Sequence, residues 1–238
     1  MRTRATGRWW RAWGVVALLI ATAGCATGAA TTPASTPPPS LVDVKRQVAE
    51  YVDSGRYEAD VAAVVTQARA YLESRIARGG KLAIVLDIDE TSLSNLPSLR
   101  ANDWGFILSG PCEPPNAPCG LGAWIALARA EPIKPVLALA RFAREHGVAV
   151  FFLTGRPERL RAATERNLQA AGYEWTGVLL KPDAMRTTSA VEQKAAERKK
   201  LVEQGYTIVV NMGDQMSDLE GGFAERTYKL PNPFYFAP

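Results

Sequence analysis

The acidic residues of greatest chemical interest in this 238-residue chain fall in two short groups. Asp87-Ile88-Asp89-Glu90-Thr91 follows the apolar run Leu82–Leu86, and Gly213-Asp214, then Asp218, follows Tyr206–Val210. Aspartates two apart at the end of an extended segment turn toward one space if the strand breaks at Ile88. Aspartates four apart share a face if a helical turn begins there. Carboxylates gathered so closely repel one another unless a cation compensates, and a hard divalent ion, Mg²⁺ first, suits an all-oxygen donor set. Such an ion keeps waters and accepts a phosphate oxygen. Thr154-Gly155-Arg156 follows a third apolar run, Val148–Leu153. The Thr154 hydroxyl and backbone amides near Gly155 are suited to a second phosphate oxygen. The remaining negative charge calls for a fixed cation. Lys194 is the candidate and Lys181 the alternative, while Lys199 and Lys200 read as a solvated helix face.

These residues need a scaffold that brings three chain segments to one rim. The sequence supplies it. Leu82–Leu86, Val148–Leu153, Val178–Leu180, Tyr206–Val210 and Thr227–Leu230 read as strands. Between them, Pro132–His146, Pro157–Ala171 and Ser189–Gln204 read as helices, stopped by glycines after the first two. Apolar strands alternating with helices predict an α/β fold, a Rossmann-like, mainly parallel sheet with helices on both faces. Ligands of such sheets bind beyond the carboxyl ends of the strands, which is where the aspartates, Thr154 and the glycines fall. Upstream, Leu41–Arg78 is helical, with an apolar face through Tyr57, Val61, Val64, Ala68 and Leu72 and a division at Ser54-Gly55. After the first strand, residues 92–131 form a long helical and loop insertion, a cap-like element holding Trp104, Phe106 and Trp124.

The ordered set Asp87-Ile88-Asp89-Glu90-Thr91, Thr154, a lysine, and Gly213-Asp214-x-x-x-Asp218 resembles the four motifs of the haloacid-dehalogenase superfamily. Within it, Leu86–Asn95, Phe152–Arg156, Gly205–Gly222 and Lys229–Phe236 are similar to the acid phosphatases of classes B and C. That branch includes bacterial lipoprotein acid phosphatases and plant vegetative storage proteins. The resemblance implies that Asp87 attacks phosphorus to give an aspartyl-phosphate, and that Asp89 protonates the leaving oxygen and then activates water. It implies Mg²⁺ held by Asp87, the Asp89 carbonyl and Asp214, with Asp218 in or near its shell. It also favours Lys194, with Arg198 one turn on, as the cation, beside Thr154 and Gly155 on the phosphate. The substrate class implied is a small phosphate monoester, a nucleoside monophosphate being attractive because of the aromatics nearby.

The leader carries further information. Arg2, Arg4, Arg8 and Arg11 precede the apolar stretch Val15–Ile20 and the small residues Thr22-Ala23-Gly24-Cys25. Residues 1–25 thus read as a signal peptide, too short in its apolar core to span a bilayer. Its end resembles a lipoprotein processing site with Cys25 as the lipidated residue, or else an ordinary cleavage site. Residues 26–40, rich in Thr, Ser and Pro, read as a tether ahead of a phosphatase domain over 41–238, whose first helices occupy 41–79. The expected location is periplasmic, tethered to the outer membrane, with no membrane contact beyond that anchor. The formal charge of +4 belongs to those four leader arginines, so it argues for no nucleic-acid partner. Cys112 and Cys119 bracket a proline-rich turn and, in an exported chain, read as a local disulfide.

Several chemistries are disfavoured. His146 is the single histidine, which disfavours phosphohistidine and multi-histidine metal mechanisms. No Gly-x-Ser-x-Gly elbow is present. A dehalogenase on the same scaffold usually lacks the second aspartate, and a storage or binding protein usually alters the first. Three further readings stay open. Glu90 is a surface residue or a support for the site, and Arg156 contacts phosphate or is one of many surface arginines. Phe234-Tyr235-Phe236 packs the tail down or walls the site.

Overall fold

The computed structural model describes residues 38–185 and 188–237. The expected signal peptide, Cys25 and most of the tether lie outside the described residues. From Pro39 onward the chain forms one compact unit. Helices α1 (Leu41–Asp53) and α2 (Arg56–Ile76) lead into β1 (Leu82–Leu86). The break between them falls at Gly55, whose φ of 78° is left-handed, a conformation that costs glycine nothing.

The central sheet has the order β5-β4-β1-β6-β7, all parallel, with β4 (Ala149–Pro157), β5 (Gly177–Lys181), β6 (Thr207–Gly213) and β7 (Thr227–Lys229). Alternate residues serve opposite faces. Ile84 and Leu86, with Val150, Phe152, Val210 and Met212, face a large core shared with α2, α5 (Lys134–Glu145) and α6 (Arg161–Ala170). Ala83 and Val85, with Phe151, Leu153 and Ile208, face Leu201 of α7 (Ala190–Glu203). The sheet is thus covered on both faces, as expected. β1 is central: the chain runs from it to β4 and β5 on one side, then crosses back to β6 and β7 on the other. That is the switch point where α/β sheets bind ligands.

Strand ends differ from the sequence expectation in one useful way. β4 runs on through Thr154, Gly155 and Arg156, because Pro157 still pairs with Lys181 after a register shift. The following helix begins at Arg161, after a 3-10 turn over Glu158–Leu160, rather than at Pro157. β6 likewise extends to Gly213. The insertion is clasped at its base by a two-stranded antiparallel ribbon, β2 (Leu93–Ser94) with β3 (Glu131–Pro132), and carries α3 (Leu96–Ala101) and α4 (Leu121–Leu127). Cys112 and Cys119 are joined as a disulfide. The Asn102 side chain grips the Cys119 backbone from both sides, accepting from its N–H and donating to its C=O, each at 2.8 Å.

Candidate active site

The backbone ladder carries Asp87 to the site. Its N–H still donates to the Met212 carbonyl at 2.9 Å, so the side chain leaves from a fixed strand end. The chain then closes on itself: the Ile88 carbonyl accepts from Ser92 and Leu93 at 2.9 and 2.8 Å, and Ser92 Oγ donates to the Asp87 carbonyl at 2.6 Å. Glu90 sits in this loop at φ 52°, a costly conformation for a residue with a β-carbon. Its carboxylate is fully buried and accepts from the Asn95 N–H. Of the two open readings, Glu90 is therefore a support beneath the site.

Asp87, Asp214 and Asp218 each offer a carboxylate oxygen, and the three atoms lie within 4.8 Å of one another. Lys194 reaches in from α7, its ammonium 2.6 Å from Asp87 Oδ1 and also bonded to Asp218 Oδ1. The lysine side chain is 5% exposed. Lys181 instead donates to the Thr188 carbonyl at 2.6 Å, and Lys199 and Lys200 pair with surface glutamates. Asp214 and Asp218 do not share a helix face. The one-turn helix α8 (Met216–Leu219) starts after Asp214, and Asp218 folds back to accept from the Gln215 N–H at 2.8 Å in a capping box. That fold-back needs Gly213, because a β-carbon there would lie 2.3 Å from Asp218 Cβ. Asp214 accepts from Thr91 Oγ1 at 3.0 Å, Gln215 Nε2 at 2.7 Å and Asn232 Nδ2 at 2.6 Å.

Asp89 takes the other side. Arg156 Nε and Nη2 donate to its two oxygens at 2.9 and 2.7 Å, and Asn95 Nδ2 donates at 2.9 Å. Arg156 is thus a buried partner of Asp89, not one of the surface arginines. Thr154 is buried within β4, three residues before its end, its hydroxyl accepting from the Arg156 N–H at 3.1 Å. Gly155 is exposed beside it, with open space over its α-carbon.

The electrostatics follow from this packing. Burial, then the Asp218 charge, pushes Asp87 well above the usual carboxylate range, against the pull of Lys194. Burial and Asp218 raise Asp214 to about 6, opposed by its three hydrogen bonds. Burial disfavours charge on Lys194 too, but Asp87 and Asp218 outweigh it and hold the ammonium above an ordinary lysine. At Asp89 burial favours the neutral acid, yet the Arg156 charge and the hydrogen bonds from Arg156 and Asn95 outweigh it and lower the value. Four aspartates therefore meet two cations in a largely buried site, an excess of two acidic groups. The donors near that excess are carboxylate oxygens, the set that fits a hard divalent cation.

The aromatics divide between roles. Trp124 is buried and donates through Nε1 to Asn95 Oδ1 at 2.8 Å. Trp104 stacks on Phe234 at 5.8 Å, and Phe106 on Tyr235 at 4.2 Å, so tail and insertion hold each other. The Tyr235 phenol is raised well above its usual value by burial and by the charges of Asp214, Asp89, Glu90 and Asp87. Phe236 is 75% exposed and walls nothing. His146 is exposed at the end of α5, its ring tilted against Phe142. A groove of about 440 Å³ on the insertion, lined by Leu96, Pro97, Arg100, Pro114 and Pro115 among others, includes none of the four aspartates.

A family model described as HAD superfamily, subfamily IIIB (acid phosphatase), matches residues 24–238. The chain belongs to this family. It is accordingly a phosphoric monoester hydrolase of the acid phosphatase type. Acid phosphatase 1 of Solanum lycopersicum is 33% identical to it over 192 residues, covering 79% of this chain and 72% of that one. Vegetative storage protein 1 of Arabidopsis thaliana is 30% identical over 198 residues, covering 82% and 70%. The class C acid phosphatase of Bacillus anthracis superposes with a TM-score of 0.63 at 24% identity, covering 81% of this chain and 86% of that one, and so shares the fold.

Sequence reasoning assigned no role to Asn95, Gln215 and Asn232. They are short polar side chains that hold carboxylates. Asn232 lay within the tail segment that resembles the family, but nothing in its type revealed that it reaches Asp214. Arg198, read as one turn beyond Lys194, donates to the carbonyls of Asp218, Glu220 and Gly222 and so fastens the end of α8.

Proposed function

We propose that this acid phosphatase is an exported, Mg²⁺-dependent enzyme that hydrolyses small phosphate monoesters through a phosphoaspartyl group on Asp87. One observation carries the reading: the Lys194 ammonium, Asp214 and Asp218 converge on Asp87 at the end of the central strand, with Asp89 two residues on. A divalent ion held by Asp87, Asp214, Asp218 and the Asp89 backbone would neutralise charge on the transferring group and on the site. Thr154 donates to a phosphate oxygen, and Gly155 leaves its backbone open to another. An Asp87 oxygen bonds to phosphorus as the leaving oxygen departs with a proton from Asp89. Water then attacks phosphorus, gives its proton to Asp89, and frees Asp87. Dividing one hard displacement into two easier ones is what a carboxylate nucleophile contributes.

The stacked Phe106–Tyr235 pair supports a substrate with a flat leaving group, a nucleoside monophosphate among them. The leader supports export, with lipidation at Cys25 and a periplasmic, outer-membrane tether as the finer reading. The segment 92–131 is read as the cap. A catalytically weak storage protein is the second reading, favoured by the similarity to vegetative storage protein 1. The presence of Asp87 and Asp89 counts against it, and Asp89 counts against a dehalogenase. The test is aryl phosphate hydrolysis with Mg²⁺, comparing the protein with Asp87→Asn. A loss of about 10³-fold or more is expected. Full turnover in Asp87→Asn would end the mechanism, and absence of turnover in the unaltered protein over a broad ester panel would favour the storage reading.

A further inference from the structure

Asn95 joins the insertion to the acid–base aspartate. It caps the start of α3, is 2% exposed, and spends every polar atom of its side chain on two partners. Its Oδ1 accepts from Trp124 Nε1 at 2.8 Å, and its Nδ2 donates to Asp89 Oδ1 at 2.9 Å. The indole is a donor and nothing else. It therefore dictates which way the Asn95 amide points: oxygen to Trp124, nitrogen to Asp89. Reversed, the amide would set N–H against N–H at the indole and oxygen against carboxylate at Asp89. Each buried mismatch of that sort is unfavourable. Trp124 is itself fixed, 3% exposed on α4, with its backbone N–H donating to the Gly120 carbonyl at 2.9 Å.

We infer that Trp124 and Asn95 are positioning residues for Asp89, so that the insertion sets the direction of the catalytic carboxyl group as well as bounding the substrate. Arg156 grips both Asp89 oxygens and so fixes the carboxylate plane from the β4 side. The Asn95 donor is the constraint from the insertion side, on Oδ1. The inference rests on the proposed role of Asp89. In that role its proton moves to the leaving oxygen while the phosphorus–oxygen bond breaks and the bond from Asp87 to phosphorus forms. A misaimed carboxyl group slows that transfer most where the leaving group is a poor one, because an alkoxide needs the proton and a nitrophenolate does not.

The readout is kcat/KM, which reports the steps up to transfer of phosphorus to Asp87, measured with p-nitrophenyl phosphate and with glycerol 2-phosphate. For Trp124→Phe, which keeps an aromatic ring and removes the N–H, and for Asn95→Ala, the alkyl ester should lose about 10- to 100-fold. The aryl ester should lose less than about 3-fold, with inhibition by inorganic phosphate unchanged within about 2-fold. Thermal midpoints identify any variant that is simply unfolded, and the two variants must show the same leaving-group pattern. Asp89→Asn is the control that separates the two ideas. If Asp89→Asn shows the leaving-group bias and neither positioning variant does, the inference fails and the mechanism stands. If Asp89→Asn shows no bias, the proposed role of Asp89 fails and this inference with it. Equal losses on both esters in Trp124→Phe and Asn95→Ala would also overturn it, since that pattern marks a general structural defect.

Discussion

Lys194→Met retains the unbranched apolar stem of the side chain and deletes its charge. The ammonium it removes lies 2.6 Å from Asp87 Oδ1 and also bonds Asp218. Both carboxylates are buried, and their nearest oxygens lie within 4.8 Å. Two unit charges at about that distance and an effective dielectric of about 20 repel by about 3–4 kcal/mol. Removing one partner of a buried ion pair costs about 3–5 kcal/mol. The two figures describe the same loss, so about 4 kcal/mol is expected at pH 7.5 in chelator. The pH dependence has a definite sign. Without Lys194, the folded-state pKa of Asp87 rises further above its unfolded value, so the folded protein takes up a proton as pH falls. The penalty is therefore full above the raised value and shrinks below it, by about 1.4 kcal/mol per pH unit, until the unfolded carboxyl also protonates near pH 3.9. Urea unfolding at pH 5 and pH 7.5 measures this directly. In the presence of Mg²⁺, kcat for an aryl phosphate should fall by about 10²–10³. A destabilisation below about 1 kcal/mol at pH 7.5, or one of equal size at both pH values, would refute the assignment of Lys194 as the cation that offsets this cluster.

Three further outcomes are expected. Gly213→Ala places a β-carbon 2.3 Å from Asp218 Cβ, so Asp218 must shift by about 1 Å and leave both Lys194 and Gln215. Activity should fall by about 10²-fold with a raised Mg²⁺ requirement, and an unaltered kcat with unaltered Mg²⁺ dependence would show that Asp218 does not need that approach. Metal-free protein should lose stability as pH rises from about 4 to about 6.5, because Asp214 is raised to about 6 when folded; the contribution is about 3 kcal/mol from a shift of about two units. Added Mg²⁺ should flatten that slope of thermal midpoint against pH, and a slope indifferent to metal would argue against Asp214 as a ligand. Reducing the disulfide between Cys112 and Cys119, seven residues apart, should cost about 2–3 kcal/mol from loop closure, read as a shift in urea midpoint with reductant; no shift would mean that the grip of Asn102 suffices.

Much of the fold was legible because its signals are local. Leu82–Leu86 and Val148–Leu153 are apolar runs of strand length, and Gly55 and Gly147 mark the ends of helical periodicity. The chemistry was legible for a related reason: in a parallel sheet the residues just past strand ends meet, so Asp87, Thr154 and Asp214 could be brought together without coordinates. What stayed hidden depends on contacts between segments far apart in sequence. Asn232 reaches Asp214, and Arg156 turns to Asp89 instead of solvent, through tertiary packing that no periodicity encodes. Strand ends were misplaced for the same reason. β4 continues past Leu153 because Lys181 on the neighbouring strand pairs with Pro157, and pairing energy overrides the local sequence. The buried state of Glu90 was equally unreadable, since its partners are the Asn95 N–H and Tyr57 of α2.

Asp89 and Arg156 bear on why an acidic medium suits such a site. Under the proposed mechanism Asp89 must carry a proton when the leaving group departs and must lack one when water is activated. Arg156, with two hydrogen bonds to Asp89, favours the ionised form and outweighs the effect of burial. That bias helps the second step and opposes the first. Above the lowered value the protonated fraction falls about tenfold per pH unit, so lowering the pH restores the acid that the arginine withholds. Asp87 faces the contrary demand. It must be ionised to attack, yet burial and Asp218 push it toward its neutral form. Lys194, joined under the proposed mechanism by a divalent ion, acts on Asp87 from the side of Asp218, while Arg156 and Asn95 act on Asp89 from the side of β4 and the insertion. Two carboxyl groups two residues apart thus carry opposite biases, Asp87 toward the neutral acid and Asp89 toward the carboxylate, so the proposed first step depends on cations at Asp87 to reverse that order.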